Sequence, residues 1–282
     1  MEIISPNIRR ITANNPMPFT FKGTGTYIIG YGEVAVIDPG PALEDHIDAI
    51  LSELGSEKIS HILVTHNHMD HSPGAKLLSE KTGAKIFGPD TSDQQYSNEK
   101  IEEGIDKSFK ADVIINDGMI IQGSNWTIEA IHTPGHLSNH YCFAYNQEKA
   151  LFTGDHVMGW STTIVSPPDG NMQDYMNSLE MLLGRDDKIY YPTHGWPIEK
   201  PHQFVKQLYG HRLRREKEII RAIEDDANTI KDIVLKIYVT IDERLYPAAA
   251  RTIYAHLIRL VGLEQVICDG EPSEDTHYKL PK

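Results

Sequence analysis

The segment Thr65-His-Asn-His-Met-Asp-His71 places three histidines and one aspartate within six residues. Imidazole nitrogens and a carboxylate form the donor set taken by zinc, manganese or iron. Side chains at i and i+2 share a face only on an extended backbone. A strand-end loop therefore aims His66, His68 and Asp70 together, and His71 turns off where the next helix begins at Ser72-Pro73. Four ligand-type residues at this spacing point to a metal or catalytic cluster rather than to scattered surface histidines.

Three later segments share one construction: a β-prone run, a turn breaker, then a ligand. They are Thr133-Pro-Gly-His136, Phe152-Thr-Gly-Asp155 and Tyr191-Pro-Thr-His194. Rigid strand ends that carry ligands on short loops are how an accurate site is built. With residues 66–71 they make seven donors: His66, His68, Asp70, His71, His136, Asp155 and His194. That is enough for two metals sharing one carboxylate. So histidine-rich a set suits two Zn2+, with Mn2+ or Fe2+ as alternatives. Zinc lowers the pKa of bound water to about 7, so the expected chemistry is hydrolysis by a hydroxide held between the metals. It would attack a carbonyl carbon or a phosphorus, with no Ser or Cys nucleophile. Asp70 is the candidate catalytic group, orienting that hydroxide or shuttling its proton.

The order His66-x-His68-x-Asp70-His71, then His136, Asp155 and His194, resembles the metallo-β-lactamase-fold superfamily. Within it the chain is similar to lactamase-like hydrolases with a C-terminal winged-helix domain, including the mitochondrial lactamase-like endoribonucleases. The segment His211-Arg-Leu-Arg-Arg-Glu216 supports that likeness. The resemblance implies an α/β fold, a four-layer αββα sandwich with the site at one edge. It implies His66, His68 and His136 on one metal, Asp70, His71 and His194 on the other, and Asp155 bridging. Asp38, before Pro39-Gly40, matches the family's first motif and would orient ligands or water from behind them. The departure is Thr193, where many members have glycine; it adds a side chain beside the site and removes no ligand.

The elements needed to position these residues are legible. Thr26–Gly30 and Val34–Asp38 are short β-prone runs within an antiparallel stretch over 1–40. Ile47, Ile50, Leu51 and Leu54 form a helical stripe ended by Gly55. Ile59–Thr65 is a strand, Ala75–Lys81 a helix and Lys85–Phe87 a strand. Thr127–Ile131, Tyr141–Tyr145, Ala150–Thr153 and Ile189–Tyr191 are further strands, with a loop over 158–170 and a helix over 172–184. The composition changes near Pro197–Pro201, so residues 1–200 are expected to form the catalytic domain and 201–282 a winged-helix-like domain. The tail carries three helical patterns: Tyr209, Leu213, Ile220 and Ile223; Thr229 to Tyr238, opening on a capping-box-like Thr229…Asp232; and Ile253, Leu257, Leu260 and Val261. Val266–Cys268 and Thr276–Leu280 could pair as a hairpin.

Other residues are candidates of lesser weight. His140 could reach the site or the substrate, against a surface histidine at a strand start. Trp160, in the loop after Asp155, could wall a substrate pocket, against plain packing. His61, His132 and His156 are expected to pack, and Cys142 to be a buried strand thiol. Lys22-Gly-Thr-Gly25 has no following helix and is no nucleotide motif.

The 282 residues carry 27 Lys+Arg against 40 Asp+Glu, a net charge of −13. Residues 1–200 hold 14 basic and 27 acidic residues, so all the excess acid lies there, and residues 201–282 balance at 13 each. A phosphate-tracking surface needs local Lys and Arg, so the first 200 residues are expected to face a small molecule rather than a polyanion. Two cysteines exclude a disulfide scaffold. No apolar run is long enough to span a bilayer, and Met1–Asn15 lacks a basic-then-apolar leader pattern. A cytoplasmic protein with no membrane partner is expected.

Three functions compete. The first is hydrolysis of a small-molecule ester, thioester, lactone or amide. The second is cleavage of single-stranded RNA, favoured by the family likeness and by Arg212, Arg214, Arg215 and Lys217, which are interleaved with Glu216 and Glu218. The third is non-enzymatic binding of nucleic acid or a partner chain through the tail. The tail's zero net charge makes DNA a poor partner, and a homodimer or lid role for it is the expectation by family analogy.

Overall fold

The computed structural model describes residues 1–94, 104–240, 242 and 245–282. In chain order the elements are β1 (Glu2–Ser5), β2 (Ile8–Thr12), β3 (Gly25–Ile29), β4 (Glu33–Ile37), α1 (Glu44–Leu54), β5 (Lys58–Leu63), α2 (Pro73–Thr82), β6 (Lys85–Gly88), β7 (Val113–Ile114), β8 (Ile120–Gln122), β9 (Thr127–His132), β10 (Tyr141–Tyr145), β11 (Ala150–Gly154), α3 (Met172–Leu183), β12 (Ile189–Pro192), α4 (Pro201–Glu224), α5 (Ile230–Ile237), α6 (Tyr246–Gly262), β13 (Ile267–Cys268) and β14 (Tyr278–Lys279). The chain divides into two compact units. One comprises 1–133, 139–163 and 185–201; the other comprises 134–138, 164–184 and 202–282. Among the described residues no helix is long and apolar enough to cross a membrane.

The first unit holds a seven-stranded sheet in the order β1 to β7 and a five-stranded sheet in the order β12-β11-β10-β9-β8. The period-2 pleat sorts their side chains. On β3 and β4, Tyr27, Ile29, Ala35 and Ile37 face one core, shared with Phe143, Phe152 and Tyr191 of the second sheet. Their neighbours Ile28, Val34 and Val36 face the opposite way, onto Ile47, Ile50 and Leu54 of α1 and Ala75 and Leu78 of α2. Each fully buried Ile or Val contributes about 1.5–3 kcal/mol, so a one-residue slip of these strands would exchange both cores. The strands β7 and β8, with only 2 and 3 residues, carry no alternation of their own. They are strands because a neighbouring edge supplies the ladder.

The second unit is built on one core. It joins Ile219 and Ile223 of α4, Ile233 and Val234 of α5, Ile253, Leu257 and Leu260 of α6, and Tyr278 of β14. β13 and β14 pair antiparallel, Cys268 opposite Tyr278, as expected of the hairpin. Thr229 caps α5: its Oγ1 accepts the Asp232 N–H at 3.2 Å and donates to the Asp232 carboxylate at 2.6 Å. The expected stripe on α4 is displaced. Leu213 is 36% exposed, whereas Arg212 and Glu216 are buried. The charges are tolerated because they are answered. Glu216 accepts two bonds from Arg259 Nη1, at 2.6 and 2.7 Å, and one from His256 Nδ1 at 3.2 Å. The Arg212 guanidinium lies 5.1 Å from the Tyr175 ring of α3.

Burial pushes His256 down to about 4 from an ordinary 6.5. At Glu216 burial opposes the charge, but His256 and Arg259 outweigh it and hold the carboxyl below its usual range. A histidine kept neutral by the fold contributes stability that is complete above its unfolded pKa and is lost as pH falls towards the folded one. The second unit should therefore weaken between pH 6.5 and about 4, by roughly 3 kcal/mol from His256 alone. Thermal melting across that window should show a fall in midpoint that is flattened in His256→Gln; identical pH slopes in the two proteins would contradict this account.

Candidate metal centre

Strand direction sets the location. β4 pairs parallel with β5, and β11 with β12. Parallel pairing puts C-terminal ends side by side, the usual position of sites in such sheets. Asp38 follows β4, His66 follows β5, Asp155 follows β11 and His194 follows β12. The two sheets are tied at this edge. Thr65 O accepts the Tyr141 N–H at 2.9 Å, and Tyr27 OH donates to Pro192 O at 2.7 Å.

Asp38 organises what stands behind the donors. It is fully buried and has φ 46°, the left-handed region that a side chain occupies only at a cost. Its Oδ1 accepts the Thr65 N–H at 2.8 Å. Its Oδ2 accepts the Thr65 hydroxyl at 2.8 Å, the Thr193 hydroxyl at 3.0 Å and His71 Nδ1–H at 2.9 Å. Thr193 thus adds a hydrogen bond as well as a side chain. Because Thr65 Oγ1 has given its proton to Asp38, it accepts from His66 Nδ1 at 2.9 Å. His136 Nδ1 donates to Ile164 O at 2.7 Å and His194 Nδ1 to Gly23 O at 3.2 Å.

Each of these four rings therefore carries its hydrogen on Nδ1 and presents a bare Nε2. The ligand atoms of His66, His68, His136 and Asp155 all lie within 4.8 Å of one another, and so do those of Asp70, His71 and His194. His66 Nε2 is 3.0 Å from His68 Nδ1. His194 Nε2 is 3.0 Å from Asp70 Oδ2 and 3.5 Å from Asp155 Oδ1, and His71 Nε2 is 3.4 Å from Asp155 Oδ2. Asp155 thus faces both clusters. Extension ends at His68: a turn in which His68 O accepts the His71 N–H at 3.1 Å swings Asp70 into the second cluster, away from His66 and His68.

Lone pairs and carboxylates packed this closely repel unless a positive charge stands among them. Burial opposes a proton on His71, yet Asp70, Asp155 and Asp38 hold its pKa well above the ordinary value. Burial likewise opposes charge at His194, and Asp155 and Asp70 overcome it. Asp70 Oδ1 and His71 Nε2 are buried without a hydrogen-bond partner. Buried orphan acceptors, neutral imidazoles and carboxylates are what a pair of metal ions requires, so the residues present fit.

The remaining candidates fall around this centre. His140 is fully buried; its Nδ1 meets Thr133 Oγ1 at 2.8 Å and its Nε2 accepts the Asp155 N–H at 3.1 Å, orienting a donor rather than acting as one. Trp160 is 37% exposed and stacks on Phe21, with ring centroids 5.1 Å apart. His61 packs on Phe87 and Trp126, and burial pushes the Cys142 thiol up to about 12. Sequence reasoning missed the hydroxyl roles of Thr65 and Thr193, and the carbonyls of Gly23 and Ile164. Adjacency to a ligand was the signal for the hydroxyls; the carbonyls left none.

An αββα sandwich with a histidine–carboxylate cluster at the C-terminal ends of its strands defines a class of metal-dependent hydrolases. Residues 21–194 match the model of the metallo-β-lactamase superfamily and residues 229–274 that of the β-lactamase-associated winged helix domain. The chain belongs to the metallo-β-lactamase superfamily and is a metal-dependent hydrolase of it. It is 30% identical to a β-lactamase-like protein 2 homolog of Caenorhabditis elegans over 287 aligned positions, covering 100% of this chain and 91% of that one. It is 33% identical to an atrochrysone carboxyl ACP thioesterase of a Cryptosporiopsis species, over 79% of this chain and 65% of that one. An Aspergillus chevalieri protein of the same name is 32% identical over 93% and 83%. A metallo-β-lactamase family protein of Thermus thermophilus shares the fold, with a TM-score of 0.79, 20% identity and coverage of 99% and 100%.

The network behind the donors makes a direct prediction. Asp38→Asn should weaken zinc binding by about 10–100-fold, and Thr193→Val by less, in chelator competition. Unchanged affinity in Asp38→Asn would show that the ligands hold their orientation without it.

Proposed function

We propose that the protein is a dinuclear zinc hydrolase acting on a thioester, with ester, lactone and amide carbonyls as related substrates. The observation that carries the reading is the pair of abutting donor clusters with Asp155 facing both. The thioesterase names of two relatives support the choice among carbonyl compounds. His66, His68 and His136 would hold one ion and Asp70, His71 and His194 the other, with Asp155 facing both. Bound there, zinc supplies Lewis acidity and brings a coordinated water towards a pKa of about 7.

The chain's own residues do the rest. Asp38 and Thr65 keep the rings of His66 and His71 in one tautomer, and His140 keeps the Asp155 backbone in place. Burial opposes ionisation of Asp70, but His71 and His194 keep its carboxyl below the usual range, so it is an anion at neutral pH. Its Oδ1, free of hydrogen bonds, is the atom placed to take the nucleophile's proton and return it to the leaving thiolate. Half of the basic run in the tail is engaged: Arg212 is buried, and Arg215 pairs with Glu218 at 2.7 Å and lies on the Tyr238 ring, while Arg214 and Lys217 are exposed. With the acid excess of residues 1–200, that favours a small substrate over RNA.

Elemental analysis should give two zinc ions per chain. A panel of thioester, lactone, β-lactam and single-stranded RNA should show thioester turnover that is lost on chelation and restored by zinc. RNA as the substrate turned over would replace this reading. Asp70→Asn should lower kcat by about 100-fold or more; full turnover with both ions still bound would remove Asp70 from the proton path.

A further inference from the structure

Two tryptophans from separate loops of the first unit gather around Phe21. Phe21 and Trp160 are stacked, with centroids 5.1 Å apart and planes 16° from parallel. Trp196 meets Phe21 edge-on at 6.1 Å, and Lys22 Nζ lies 4.2 Å over the Trp196 ring. Trp160 and Trp196 remain 37% and 52% exposed. Adjoining tryptophans that stay partly exposed form an apolar patch of the kind that marks a binding surface.

The cluster is built into the backbone of the metal centre. Gly23 O accepts from His194 Nδ1, two residues after Phe21. The Gly159 N–H donates to His194 O at 2.9 Å, one residue before Trp160. Gly159 and Gly195 touch: a Cβ on Gly159 would lie 2.0 Å from Trp196 O, and one on Gly195, at φ 101°, would lie 2.6 Å from Gly159 C. No side chain fits there, so the segments bearing the two tryptophans are locked together. The third segment is equally fixed. Phe21 N–H donates to Met17 O at 3.0 Å, Thr20 Oγ1 to Asn15 O at 2.6 Å, and Asn15 Oδ1 accepts the Thr24 N–H at 2.9 Å. Phe21 itself has φ 57°, an outlier for a bulky residue. Strain kept in a rigid strap to hold one ring against another is a mark of a recognition site.

We propose that Phe21, Trp160 and Trp196 form a stacking shelf that selects a flat, aromatic acyl group on the substrate. The proposal rests on the carbonyl-hydrolase reading above and names its substrate class. Stacked faces favour a planar partner over a flexible alkyl chain. A nucleic-acid base is also planar, but residues 1–200 hold 14 basic against 27 acidic residues, which repels a polyanion.

Two measurements on the zinc-loaded full chain separate the shelf from the catalytic reading. In the first, isothermal titration calorimetry should show 2-naphthoate binding to the wild type. Its affinity should weaken about fivefold or more in Trp160→Ala and Trp196→Ala and be regained in Trp160→Phe, whatever the activity. In the second, the ratio of kcat/KM for a naphthoyl over a hexanoyl thioester should exceed 1 and fall about fivefold in the alanine variants, with zinc content retained. Absent naphthoate binding, an equal loss on both thioesters, or tighter, salt-sensitive binding of single-stranded RNA would overturn the shelf. Naphthoate binding without hydrolysis of any thioester would leave the shelf standing and refute the proposed reaction.

Discussion

A crowd of like-natured acceptors, buried together, is the constraint around which this protein is organised. Four imidazoles have their Nδ1 hydrogens committed to oxygen acceptors, and the bare Nε2 atoms of His71 and His194 meet the carboxylates of Asp70 and Asp155 at 3.0–3.5 Å. Such an arrangement is unfavourable unless a positive charge completes it. Raised proton affinity at His71 and His194 is one expression of that demand, and metal binding is the other. The candidate donors are held from behind by hydrogen bonds to Asp38, Thr65, Gly23 and Ile164.

The sandwich meets the demand through strand direction and a small store of backbone strain. Parallel neighbours within each sheet deliver Asp38 beside His66, and Asp155 beside His194, on short stiff connections. Asp38 in the left-handed region turns its carboxylate back across the edge, where Thr65, Thr193 and His71 saturate Oδ2. Thr193 stands where many members of this superfamily have glycine. Its hydroxyl makes that position part of the hydrogen-bond network rather than empty space.

The second unit solves a smaller version of the same problem. Arg212 and Glu216 occupy the buried side of α4, where an apolar stripe would be the simpler choice. Arg259 and His256 answer Glu216, and Tyr175 offers its ring to Arg212. Removing one partner of such a buried pair would leave an unanswered charge, which is costly. Arg212 and Glu216 of the tail's charged run are therefore structural.

The sequence alone determined the inventory of candidate donors, most of the strand and helix order and the winged-helix tail, because those depend on local spacing. Two histidines at i and i+2 after a β-prone run, a turn breaker before each later ligand and period-2 alternation in Ile28–Ile37 are near-neighbour patterns. What only the tertiary structure decided is non-local. Asp70 belongs with His71 and His194 because a turn closes after His68. His140 is a buried prop for Asp155, not a surface residue, because β10 starts against β11. Leu213 faces water while Arg212 is buried, because partners 40 and more residues away neutralise that side of α4. The aromatic cluster joins residues 21, 160 and 196, which no spacing rule connects. Local periodicity records which side of an element is apolar; it carries no record of which distant group will satisfy a buried charge or stack on an exposed ring.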